Sequence, residues 1–218
     1  WDSDFFQLEG QLKDERGPAF ARQLTITYSD RRRLHCDQTE IKRASDFINA
    51  FLCVAFVPED IQLVKGAPAE RRRFIDILLS QLYPEYLAAL IDYNQALKSR
   101  NVILKNPERY GRDSLRAYDQ QLVRHGAKIV HKRWHFMSTF ATYLARLSDA
   151  LFGPDRIIES GYSCCFVREK TSIVPTVDEL VEMFKEALAR EQRREAENGS
   201  TRIGPHRDDL VLTLNNRQ

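Results

Sequence analysis

Polar and apolar side chains alternate along residues 23–29, with Leu24, Ile26 and Tyr28 on one side, the period of a half-buried strand. Residues 5–10, 33–36 and 40–41 have the same character and are separated by turn-forming residues, so residues 4–41 predict a β-meander. Residues 44–57 hold a short helical or mixed stretch. It ends in the apolar run Leu52-Cys53-Val54-Ala55-Phe56-Val57, the composition of a strand buried on both faces, which Pro58-Glu59-Asp60 breaks.

From Ala67 the period becomes helical. Pro68 stands at a tolerated first-turn position, and Phe74, Ile77, Leu78 and Leu82 recur at three- or four-residue steps. Tyr83-Pro84 ends that helix and starts another, in which Leu87, Leu90, Ile91, Leu97 and Leu104 share a face; residues 106–111 close it as a loop. Residues 113–151 contain no proline and keep the repeat from Leu115 to Leu151, which predicts a helix of roughly 55 to 60 Å, with Gly126 as its expected interruption. After Gly153-Pro154, residues 157–168 read as a strand. Thr176-Val177-Asp178-Glu179 reads as a capped helix start whose acidic residues complement the helix dipole, and that helix runs to about Glu197 before Asn198-Gly199. Residues 209–214 alternate again as a strand. Two long helices joined by a short loop, in a chain that begins with strands, predict an arm on a mixed α/β (α+β) body, with a plain helical bundle as the alternative.

Composition adds bounds. The 218 residues are 43% hydrophobic and 29% charged, enough to bury a core in one domain or two small ones. Cys36, Cys53, Cys164 and Cys165 show no C-x-x-C spacing, so neither a zinc site nor a disulfide framework is expected, and a reducing, cytoplasmic setting fits. No apolar run approaches the roughly 20 residues of a bilayer span, and no basic-then-apolar leader opens the chain. The chain starts at Trp1 rather than methionine and stops just after a strand-like run, so both ends are expected to be cut.

The formal charge is only +2, but it is unevenly spread. Residues 94–133 carry ten basic side chains against three acidic ones, whereas residues 176–197 carry four against seven. A basic segment of this kind is the footprint of phosphate binding, and equally that of a solvated helix face. Its candidate DNA- or partner-binding residues are Arg100, Lys105, Arg124, Lys128, Lys132 and Arg133. Arg71-Arg72-Arg73 forms a second cluster at a helix start, where Arg71 and Arg72 could hold a phosphate or an acidic partner. Arg73 lies roughly 200° around the helix from Arg71, so all three do not share one ligand, and one or two are expected to pair internally with Glu59, Asp60, Glu70 or Asp76.

Catalytic motifs are incomplete. No G-x-x-x-x-G-K-[ST] loop is present to hold nucleotide phosphates. His131 and His135 are one helical turn apart, but Lys132 and Arg133 between them would repel a cation, so no metal site is expected. The most concentrated polar motif is Gly204-Pro205-His206-Arg207-Asp208-Asp209, a tight turn before a strand. Its side chains suit a functional edge or a local ion-pair lock.

Several segments together resemble one family. Residues 56–76 read FVPEDIQLVKGAPAERRRFID; Pro84-Glu85-Tyr86-Leu87, Tyr93, Arg100-Asn101-Val102-Ile103-Leu104-Lys105 and Asp119-Gln120-Gln121-Leu122 follow, and residues 201–210 read TRIGPHRDDL. In order and spacing, across nearly the whole chain, these are similar to the RecF family, bacterial recombination mediators with an SMC-like ABC-type ATPase head. Ala67 and Ala69 depart from the serines usual there. Family members have their phosphate-binding loop upstream of the matched region and their ABC signature and acidic strand downstream, so the resemblance implies a middle fragment.

That resemblance implies a division into a partial ATPase head lobe (1–83), a helical arm (84–197) and a strand returning to the head (198–218). It implies that the complete protein binds ATP with Mg, is a weak DNA-dependent ATPase, dimerises with ATP, and binds gapped, single- and double-stranded DNA. It further implies cooperation with RecR and RecO to load RecA in recombinational repair, replication restart and the SOS response. No bound cofactor and no catalysis are expected of the fragment. Gly204, His206, Arg207, Asp208 and Asp209 become a nucleotide-proximal or structural head motif. The alternative is a protein-interaction arm that docks RecR or a second protomer without touching DNA.

Overall fold

The computed structural model describes residues 4–13, 21–48, 50, 52–167, 173–215 and 217. The chain forms two compact units, Trp1–Ala55 with Ser80–Pro84, and Phe56–Leu79 with Glu85–Gln218. Among the sequence expectations, Trp1, the Arg168 end of the second strand region, Asn216 and Gln218 lie outside the described residues.

The first unit holds the expected meander. Strands β1 (Phe6–Leu12), β2 (Arg22–Tyr28), β3 (Arg32–Cys36) and β4 (Thr39–Ile41) form one antiparallel sheet in chain order. The register aligns Leu8, Ile26, Leu34 and Ile41 in a row across all four strands, which puts the apolar residues of each strand on one face. Asp37 and Gln38, with φ of 50° and 67°, make a two-residue turn between β3 and β4 whose twist matches the strands. The Asp37 carboxylate accepts the Gln23 amide at 2.9 Å and pairs with Arg22 at 2.5 Å, locking the turn to β2. Helix α1 (Ala44–Ile48) lies against β3 and β4.

The apolar run 52–57 is not the buried strand its composition predicts. It belongs to no helix and joins no ladder among the described residues, and Val54 and Phe56 are 77% and 93% exposed. The Cys53 amide donates to the Gln81 side-chain carbonyl at 2.8 Å instead of to a neighbouring strand. Apolar composition supplies affinity for a sheet interior, but only a partner strand makes the ladder.

In the second unit, a 3₁₀ turn (Pro58–Ile61) leads into α2 (Gln62–Lys65), then α3 (Pro68–Leu82, to Leu79 in this unit), α4 (Pro84–Lys105) and α5 (Arg112–Phe152). These are followed by β5 (Ile158–Ser163), α6 (Val177–Asn198) and β6 (Asp209–Leu214). Thr176 and Glu179 form a reciprocal cap at the start of α6, and Gly199, with φ of 63°, ends it in the left-handed region. Strands β5 and β6 pair antiparallel, and β5 packs on the second half of α5, where the Trp134 and Tyr162 rings lie 5.7 Å apart.

Helix α5 runs unbroken for 41 residues, so Gly126 does not interrupt it. Its role is close packing. A Cβ there would lie 2.5 Å from Phe184 and 3.1 Å from Tyr93, so the missing side chain lets α4 and α6 approach α5 at one level. Phe184 is buried and stacks on Phe166 with ring centroids 4.6 Å apart, which leaves it no room to yield. For Gly126→Ala, the gain in helix propensity of up to about 1 kcal/mol opposes an overpacking cost of about 1–3 kcal/mol. Urea denaturation is expected to show a net loss of stability; a more stable variant would contradict this packing role.

Candidate functional site

The expected motif at 204–209 lies in a segment, residues 201–210, where helices α3, α4, α5 and α6 converge with the β5–β6 pair. Helix α4 supplies Tyr86, Tyr93 and Arg100 at seven-residue steps, so the three lie on nearly the same side of the helix. All three are at most 2% exposed. Helix α5 supplies the buried Arg133, and α3 supplies Arg71, Arg72 and Asp76.

Four arginines hold this segment. Arg71 makes a two-pronged pair with Asp209, Nε to Oδ1 at 2.8 Å and Nη2 to Oδ2 at 2.9 Å, and also donates to the Gly66 carbonyl at 3.0 Å. Arg72 donates to the Asp208 carbonyl at 2.6 Å. Arg133 donates to the Pro205 carbonyl at 2.7 Å and pairs with Asp76 at 2.8 and 3.0 Å, while Tyr86 donates to the same carboxylate. Arg100 donates to Thr201 Oγ1 at 2.9 Å and pairs with Asp119 at 2.6 Å and Glu195 at 2.7 Å.

The motif's acids and histidine face inward. Asp208 is 1% exposed; its carboxylate accepts the Cys165 amide at 2.8 Å and the Tyr162 hydroxyl. Burial raises its pKa against the pull of those hydrogen bonds and of Arg133. His206 Nδ1 lies 2.6 Å from the Tyr93 hydroxyl while Nε2–H donates to the Thr201 carbonyl at 3.2 Å, an arrangement that a neutral imidazole satisfies by accepting the tyrosine proton. Burial chiefly, with the charges of Arg207, Arg72 and Arg100, pushes the His206 pKa down to about 4. Gly204 has φ of 138°, and a Cβ there would lie 2.3 Å from the Tyr93 hydroxyl, so both backbone and space require glycine.

These positions correct several sequence expectations. Arg100 and Arg133 are 2% exposed and committed to internal carboxylates, so they offer nothing to DNA or a partner. Arg71 pairs internally, but with Asp209 rather than with Glu59, Asp60, Glu70 or Asp76. Lys105, Arg124 and Lys128 are exposed; Lys132 is half-buried and pairs with Glu85 at 3.2 Å. His131 Nδ1 donates to the Pro175 carbonyl at 2.9 Å, and no metal-ligating group of side chains occurs among the described residues. Cys165 and Glu195 were not anticipated, and Tyr86, Tyr93, Asn101 and Asp119 entered only as residues of the family resemblance, with no role assigned. The available signal was the seven-residue spacing that puts Arg100 in line with two tyrosines on an otherwise apolar face.

The neutral His206 has a signed consequence. Its folded pKa lies below the ordinary value of 6.5, so as pH falls from about 6.5 to 4 the unfolded chain takes up a proton that the folded chain refuses, and stability is lost through that window. The full effect is on the order of 3 kcal/mol. Urea denaturation between pH 7 and 4 should show His206→Gln losing less stability on acidification than wild type; parallel profiles would contradict the assignment.

Three comparisons with known proteins bear on this arrangement. No family model matches the chain. The DNA replication and repair proteins RecF of Bacillus cereus (strain B4264) and Bacillus thuringiensis (strain Al Hakam) are each 32% identical to it over 222 aligned positions. That alignment takes in 100% of this chain and 57% of each relative, so the chain spans little more than half the length of the curated proteins it matches. Two solved structures of the recombination mediator protein RecF in the RecFOR pathway share the fold. The one described as RecF-ATP has a TM-score of 0.88 at 23% identity, over 100% of this chain and 58% of that one. The one described as RecF-ATPrS has a TM-score of 0.87 at 24% identity, over 99% and 57%. Sequence along its whole length and fold together make the chain a segment of the RecF family.

Proposed function

We propose that this chain is the DNA-contacting middle segment of a RecF-like recombination mediator. In this reading the complete protein binds ATP and DNA, dimerises with ATP, and works with RecR and RecO to promote RecA loading at gapped DNA. The observation that carries the DNA reading is what remains of the basic segment once its buried members are removed. Lys98, Lys105, Arg109, Arg116, Arg124 and Lys128 are exposed on α4, α5 and their connection, against exposed Glu108 and Asp113. Arg124 and Lys128 stand one turn apart on α5, an arrangement suited to successive backbone phosphates. The ATPase site is assigned to the complete protein, because this chain contains no phosphate-binding loop sequence.

One observation favours a protein-docking arm as a second reading. Tyr143, Leu147 and Leu151, at four-residue steps on α5, are 63%, 57% and 65% exposed. Such a stripe fits an apolar partner face better than a phosphate backbone.

Salt titration separates the two. Binding of a fluorescent gapped duplex to the 218-residue chain is expected to weaken linearly in log K against log salt. The double variant Arg124→Gln/Lys128→Gln should reduce that slope by about 2, while Leu147→Asp leaves it unchanged. A slope unchanged in the double variant would remove this face from the DNA surface.

A further inference from the structure

The arginines around residues 201–210 divide by what neutralises them. Arg71 faces the Asp209 carboxylate, Arg100 faces Asp119 and Glu195, and Arg133 faces Asp76. Among the described residues, neither Arg72 nor Arg207 pairs with a carboxylate. Arg72 touches the Asp208 carbonyl at 2.6 Å, and Arg207 touches the Thr201 carbonyl at 3.4 Å. A carbonyl oxygen orients a guanidinium without cancelling its charge.

The two share one locality. Arg72 grips the peptide carbonyl of the residue next to Arg207, and the charges of both reach the His206 ring. That ring is neutral, and the Asp208 carboxylate is turned inward to Cys165 and Tyr162, so neither group of the motif offsets them. Arg207 is exposed and Arg72 half-buried, which leaves the pair open to solvent on a rigidly held backbone. Within Gly204-Pro205-His206-Arg207-Asp208-Asp209 every other ionisable side chain is committed internally; Arg207 alone projects outward.

We propose that Arg72 and Arg207 form a phosphate-recognition site, separate from the α4–α5 basic face, in which the 201–210 segment is the scaffold and two uncompensated guanidiniums are the ligand-binding groups. The phosphate belongs to a nucleotide or to a nucleic-acid backbone, and the chemistry is the same for both.

Isothermal titration of the 218-residue chain with sodium tripolyphosphate tests the site, and parallel titrations with ATP and with a single-stranded 20-mer identify the source. Arg207→Gln is expected to weaken tripolyphosphate at least tenfold, and Arg72→Gln similarly. Arg202→Gln serves as control, because Arg202 is exposed but already pairs with Glu191, and it should bind like wild type. Whichever of ATP and the 20-mer loses affinity in Arg207→Gln is the physiological class. If Arg72→Gln fails to fold, Arg207→Gln still decides, since its side chain is exposed and its circular dichroism should match wild type. The proposal is overturned if wild type binds no tripolyphosphate, if Arg207→Gln binds it unchanged, or if Arg202→Gln loses as much as Arg207→Gln. An unchanged salt slope for the α4–α5 variant would leave this site standing, so the two proposals fail separately.

Discussion

Where irregular backbone is shielded from water its peptide groups must find partners outside any helix or ladder, and residues 201–208 impose that requirement on the second unit. Their amides go to Asn101 for Thr201, Glu195 for Arg202 and the Cys165 sulfur for Gly204. Their carbonyls take His206 at Thr201, Arg133 at Pro205 and Arg72 at Asp208. The partners come from α3, α4, α5, α6 and the residues after β5, so satisfying one loop fixes these elements against it. Each buried arginine is itself completed by a carboxylate, without which its burial would cost several kcal/mol. The arrangement therefore stands or falls as a set: a guanidinium, its acid and the carbonyl it reaches.

This explains which parts of the molecule were legible beforehand. The meander, the start of α3 at Pro68, the cap at Thr176 and the strand at 209–214 follow from periods and end signals a few residues long, and the structure has them. The run 52–57 misled because apolar composition is local while strand pairing is not. Gly126 misled in a different way. Its cost to an isolated helix was read correctly, but the compensating approach of Phe184 and Tyr93 comes from residues 58 positions downstream and 33 upstream.

The functional residues show the same limit more sharply. Arg71 meets Asp209 across 138 positions, and Arg100 meets Thr201 across 101. No spacing rule links such pairs, so arginines read as surface charge include two that are interior. A count of basic side chains overstates the cationic surface wherever helices are long enough to have a buried face. Within the 204–209 motif Asp209 is held by an ion pair, His206 and Asp208 are held by hydrogen bonds, and Arg207 is exposed.

Hydrogen exchange followed by mass spectrometry tests the central claim, that interior arginines hold residues 201–210 as part of the core. Peptides covering 201–210 should exchange as slowly in wild type as those from the buried middle of α5. In Arg133→Gln, which strands Asp76 and the Pro205 carbonyl, they should exchange far faster, together with the peptide covering the start of α3 that Arg71 and Arg72 tie to the loop. Fast exchange of 201–210 in wild type, or unchanged protection in Arg133→Gln, would contradict the account.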